Sequence, residues 1–140
     1  MPTLMQALQD RCRRSGGGPL LIHYDVELGS RIELSAITFA NWVFKTANLI
    51  EDIGAEPGDV LWAPLLTSHP GHWVGAVWTV AARLAGLTVV VERPRSGDPA
   101  ITVTGPAGTG SPPYGTPAGA GTVVACSLHP LGLGFPGDVP

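Results

Sequence analysis

The chain has 140 residues and a formal net charge of -3, with eight Lys and Arg against 11 Asp and Glu. That length accommodates one domain rather than two, and the sparse, slightly acidic charge leaves no basic surface of the kind nucleic-acid binding needs. Of the 19 glycines and 14 prolines, 19 residues of the two types together fall in positions 93–140. Such a segment buries little apolar surface and reads as loop, which places the expected core before Glu92.

Thr3 and Gln6 make a capping-box pattern ahead of Leu4, Met5 and Leu8, which predicts a helix over 4–13, stopped by Gly16-Gly17-Gly18-Pro19. Arg11, Arg13 and Arg14 cluster there and read as solvated charge. Leu20–Tyr24 and Arg31–Leu34 flank the turn Glu27-Leu28-Gly29-Ser30 and predict a hairpin. Ser35 is a natural N-cap. After it, Ile37, Phe39, Ala40, Val43, Ala47, Ile50 and Ile53 recur at helical spacing, and Asn41, Lys45, Asn48, Glu51 and Asp52 fill the other face. Gly54 supplies the left-handed stop.

Glu56-Pro57-Gly58-Asp59 is a turn, and Val60–Ala63 begins a run suited to a strand covered on both faces. Ser68, with Pro70 in the first turn, is the expected cap of a helix running through Trp73, Val77 and Leu84 to Gly86; Leu87–Val91 is a second buried strand. The apolar stretch Trp73–Val91 approaches the length of a bilayer span. Arg83 within it and its β-branched end favour a buried helix followed by a strand. Ile101–Thr104 and Thr122–Cys126 are weaker strand candidates, separated by Gly105–Gly121, and 93–121 as a whole reads as a mobile linker. The expected fold is α/β: a β-hairpin followed by a small, mainly parallel sheet with covering helices and a Gly/Pro-rich C-terminal segment. Its units are 1–19 (helix and linker), 20–92 (core) and 93–140.

The order of these elements resembles the opening of the AMP-forming adenylating superfamily, which includes acyl-CoA synthetases and the adenylation domains of peptide synthetases. The residues that carry the likeness are Leu34-Ser35, Thr46–Ile50 (TANLI), Gly54, Pro57-Gly58-Asp59, the helix around Trp73–Ala85 and the strand after it. It covers about residues 20–92 and extends to Ser127–Gly132 (SLHPLG). Within the group the chain looks most like a short, poorly characterised bacterial AMP-binding-like family. The resemblance implies ATP chemistry through a Ser/Thr/Gly-rich loop ending in Pro-Lys-Gly, an acidic ribose-binding motif and a catalytic lysine. None of these has a matching position here, and the only lysine is Lys45.

Other motifs offer little chemistry. Gly105–Gly115 invites comparison with a phosphate loop, but Pro106, Pro112 and Pro113 each delete a backbone donor and Tyr114 stands where a lysine would be. It reads as linker. Gly132-Leu133-Gly134-Phe135-Pro136-Gly137 matches G-x-G-x-x-G without a following helix or acidic residue, so the match is chance. His69 and His72 share one face at i, i+3, while His23 and His129 are distant; histidines at a helix start more often bond backbone or water than metal. Trp73 and Trp78, five apart, point in different directions on a helix, so Trp42, Trp62, Trp73 and Trp78 read either as two-sided packing or as an apolar association surface. Ser127 and His129 could pair only through the fold. Cys12 and Cys126 lack ligand spacing, and neither a disulfide nor zinc is expected.

No catalytic, cofactor-binding or metal residue is therefore assigned, and no cofactor is expected unless the family's use of ATP and Mg is retained. The expected function is a truncated or non-catalytic relative of AMP-forming ligases, unable to adenylate by itself. One alternative is a fragment active only when complemented, and another is a nucleotide-independent interaction or scaffold module. A protein partner or a second copy of the chain is expected on the apolar helix surface, with neither nucleic acid nor membrane as partner. The N-terminal residues lack the pattern of a signal peptide, so the expected location is cytoplasmic.

Overall fold

Ser35 starts the longest helix as its sequence predicts. Its backbone is extended (φ -68°, ψ 163°), and its Oγ accepts the Thr38 N–H at 3.1 Å, satisfying one of the orphan donors at a helix start. The helix α2 (Ala36–Ile53) ends at Gly54, whose φ of 88° is the left-handed stop. Phe39, Ala40, Val43, Thr46 and Ile50 form its buried stripe. Ile37, placed on that stripe by spacing, is instead 51% exposed. In this computed structural model the described residues are 1–106, 119 and 121–128.

Two elements precede α2. The helix α1 (Leu4–Ser15) carries the predicted capping box, with Thr3 and Gln6 exchanging hydrogen bonds at 2.8 and 3.2 Å, and buries only Leu8. The strands β1 (Pro19–Asp25) and β2 (Ser30–Ser35) form the expected antiparallel hairpin. Leu21 lies opposite Leu34 and His23 opposite Ile32, so one face of the ribbon packs toward α2 and α4. Leu20, Ile22 and Tyr24 occupy the other face and stay exposed.

After the Glu56–Asp59 turn the chain enters a four-stranded parallel sheet. Asp59 closes that turn by accepting the Glu56 N–H at 2.9 Å. The sheet contains β3 (Val60–Trp62), β4 (Thr88–Val90), β5 (Ile101–Thr104) and β6 (Thr122–Ala125) in the order β4-β3-β5-β6. Every neighbouring pair is parallel. A short turn of helix, α3 (Leu65–Ser68), and the longer α4 (Trp73–Leu84) connect β3 to β4. α4 packs on α2, and Leu61, Ile101 and Val103 are fully buried. The α/β fold with a hairpin, a small parallel sheet and covering helices is as expected. Among the described residues no helix is long and apolar enough to cross a membrane.

Two expectations are corrected. Ser68 does not cap the second long helix: it ends α3, and His72 caps α4 through its own ring. Gly71 between them has φ 78°, a backbone state that no continuous helix tolerates. The core also continues past Glu92, because Ile101–Thr104, within the stretch read as a mobile linker, is an interior strand between β3 and β6. Four residues suffice because both faces are covered and both edges are paired.

Candidate functional site at the carboxyl end of the sheet

In a parallel sheet the loops that follow the strands gather at the carboxyl ends, where ligands of open α/β folds bind. Here that end collects Gly105 after β5, Cys126–Leu128 after β6, and the start of α4 after β3. Two depressions lie beside these segments. One, of about 360 Å³, is lined by His23, Asp25, Glu27, His69 and His72 among others. The second, of about 230 Å³, is walled by Trp42, Trp73, Trp78, Leu49, Val77 and Leu128 among others.

The histidines are placed by local bonds. The His69 Nδ1 lies 2.9 Å from the Ser68 Oγ. Gly105 passes so close to that ring that an added Cβ would stand 2.8 Å from Nδ1 and 2.9 Å from a Leu65 methyl, so only glycine fits without a shift there. The His72 Nδ1 accepts the Val74 N–H at 3.2 Å, doing for α4 what Ser35 does for α2. An accepting Nδ1 puts the neutral ring's proton on Nε2. The His23 ring, from the hairpin, lies 4.5 Å from that of His72, centroid to centroid, tilted by 56°. Burial first, then the neighbouring His23 and His69, hold the His72 pKa down to about 4 against the opposing pull of Asp25.

Aromatic contacts continue into the second depression. His72 stacks on Trp73 at 5.9 Å, and Trp73 meets Trp42 at 5.7 Å. Trp73 and Trp78, read as pointing in different directions, line this one cleft together with Trp42 from α2. The Trp73 indole nitrogen is buried without a hydrogen-bond partner among the described residues. Leu128, at the end of the described chain, has φ 58°, a strained state for a residue with a branched side chain. Burial pushes the Cys126 thiol up to about 11, opposed by a hydrogen bond with Trp78, so it stays protonated and is a poor nucleophile. Trp62 stands apart: its Nε1 donates to the Val91 carbonyl at 3.3 Å and Arg93 lies over its ring.

The two depressions, as lined by the described residues, do not fit a triphosphate. Gly105 is closed in by His69 and Leu65, Pro106 has no N–H to offer, and neither depression has a Lys or Arg in its lining. Asp25 and Glu27 give the histidine-lined depression the wrong sign. Lys45 sits on the exposed face of α2 with its Nζ 5.9 Å from the Trp42 ring centroid. The rest of the Gly105–Gly115 segment, His129 and the Gly132–Gly137 motif lie outside the described residues. Among the described residues no three His, Cys, Asp or Glu side chains form a group able to hold a metal ion, and Cys12 and Cys126 are free thiols. The pairing of His23 with His72 had no signal in the sequence, since the two are far apart in the chain and meet only because the hairpin folds onto α4.

No family model matches the chain. It is 35% identical over 137 residues to a TIGR03089 family protein of Mycobacterium tuberculosis, an overlap that takes in 93% of this chain and 52% of that protein. Among solved structures it is similar to ATP-bound MatB from Rhodopseudomonas palustris (TM-score 0.57, 17% identity, 94% of this chain and 26% of that one). It is also similar to CmiS6 (TM-score 0.64, 15% identity, 91% and 32%). A third is the N-terminal domain of FACL13 from M. tuberculosis (TM-score 0.52, 16% identity, 75% and 28%). The chain thus spans about half the length of its curated relative and a quarter to a third of these structures. Its fold is that of the N-terminal part of AMP-forming acyl-CoA synthetases, in agreement with the resemblance its sequence carries.

Proposed function

We propose that this chain is a piece of an AMP-forming acyl-CoA synthetase-type ligase that does not adenylate by itself. The observation that carries this reading is extent: the likeness to MatB takes in 94% of this chain and 26% of MatB. The motifs that the resemblance implies for ATP chemistry have no matching position in these 140 residues, and neither depression has a Lys or Arg among its described lining residues. Its work is then to present a folded α/β surface to other polypeptide.

A second reading, a ligase fragment that becomes active when the missing part is supplied as a separate chain, is favoured by the tryptophan cleft. Trp42 and Leu49 are 40% and 42% exposed on α2 beside it, an apolar patch of the kind that other polypeptide covers. Thermal unfolding with and without millimolar Mg-ATP tests the nucleotide side of both readings. A ligand at a hundred times its dissociation constant adds about 2.7 kcal/mol, a shift of several degrees for a domain of this size. The proposal predicts a cooperative transition that ATP leaves unmoved. A clear shift overturns it and revives a phosphate site.

A further inference from the structure

We propose that His23 and His72 form an acid-sensitive latch, which holds the β1–β2 hairpin on the start of α4 while His72 is neutral and releases it when His72 is protonated. The two rings are the point where the hairpin meets the first residues of α4, 4.5 Å apart between centroids. The His72 ring also carries a structural bond. Its Nδ1 accepts the Val74 N–H, and a protonated Nδ1 becomes a donor that cannot accept. Protonation of His72 therefore removes the α4 cap and sets a cation against His23 in one step.

The surroundings favour the neutral state. From the α3–α4 connection, His69 faces the pair; from β1 come Asp25, opposing, and Tyr24; Glu27 of the hairpin turn lines the same depression. Behind the pair, Trp73 and Trp42 present uncharged rings, and Lys45 lies beyond them over Trp42. Of the two carboxylates in this depression, Asp25 is the one that acts on His72, and it stands against His23 and His69. The pull of Asp25 is outweighed, because burial and the other two rings hold His72 well below the ordinary histidine range.

The sign follows from proton binding. In the folded chain His72 stays neutral until the pH approaches 4, whereas in an opened chain it takes up a proton near 6.5. Acid therefore favours opening, and the stabilisation present at neutral pH is lost as the pH falls from about 6.5 toward 4. At pH 5.5 His72 alone raises the open-to-closed ratio by up to about tenfold.

The test combines three measurements on the purified chain between pH 7.5 and 5. The imidazole C–H resonances are titrated in the wild type, unfolding is followed against pH, and amide hydrogen exchange is corrected for its intrinsic pH dependence. His72→Asn keeps an acceptor for the Val74 N–H and cannot titrate, so it is expected to remove most of the fall in stability below pH 6.5; His23→Gln removes a smaller part. Hairpin amides are expected to lose protection in acid before those of Leu61 and Ile101. The latch is overturned if His72→Asn retains the full wild-type slope, if the His72 resonance titrates near 6.5, or if hairpin and sheet amides lose protection together. Should His72→Asn fail to fold, the wild-type titration and exchange still decide.

Discussion

The hairpin strands are seven and six residues long, yet Leu34 alone among them is buried. The sheet strands β3 and β5 run to three and four residues and bury Leu61, Ile101 and Val103 completely. Strand length thus says little about where this molecule's stability resides; coverage on both faces does. The hairpin is a two-stranded ribbon, marginal alone, and depends on one face and on the His23–His72 contact for its seat. Within the sheet, β5 is buried on both faces and paired along both edges, and keeps its place with few residues.

Truncation should break the two regions very unequally. Ile101→Ala opens a cavity at the centre of the sheet and is expected to cost about 3–4 kcal/mol in urea unfolding, whereas Ile22→Ala on the exposed hairpin face should cost less than about 0.5 kcal/mol. Equal costs would contradict the division. Glycine positions sharpen it next. Gly86 (φ 81°) meets Pro57 at 3.0 Å if given a Cβ, while Gly54 (φ 88°) has open space around it. Gly54→Ala should therefore lower stability by about 1 kcal/mol through backbone strain alone, and Gly86→Ala by more. The N-caps are expected to divide in the same way. Ser35→Ala, at the head of the core helix, should cost about 1 kcal/mol, and Thr3→Ala, on a helix that buries one leucine, only a few tenths. Thermal denaturation midpoints resolve that order.

What could be read from the sequence follows the same division. Ser35, Gly54 and the stripe between them mark both ends of α2, because a cap, a left-handed stop and a 3.6-residue period are all local signals. The hairpin was equally legible in its alternation and its Glu27–Ser30 turn. The break before α4 was not. Ser68 with Pro70 mimics a helix start, and a histidine ring acting as cap through Nδ1 lies outside the usual cap residues. β5 carries a weak sequence signal because Pro99 and Gly105 flank four residues in a Gly/Pro-rich stretch, and its central place comes from pairing with β3 and β6 rather than from its own composition. The site was least legible. Trp42 and His23 reach the start of α4 from other elements, and only tertiary packing brings Trp73 and Trp78 into one cleft with Trp42.

ATP–pyrophosphate exchange by the purified chain, alone and then with the remaining part of a synthetase relative added as a separate polypeptide, tests the proposed function most directly. The account predicts no exchange above background from the chain alone; exchange that appears only in the mixture assigns it the role of a complementing fragment. Exchange by the chain alone, saturable in ATP, would contradict the account and would place a working nucleotide site within these 140 residues.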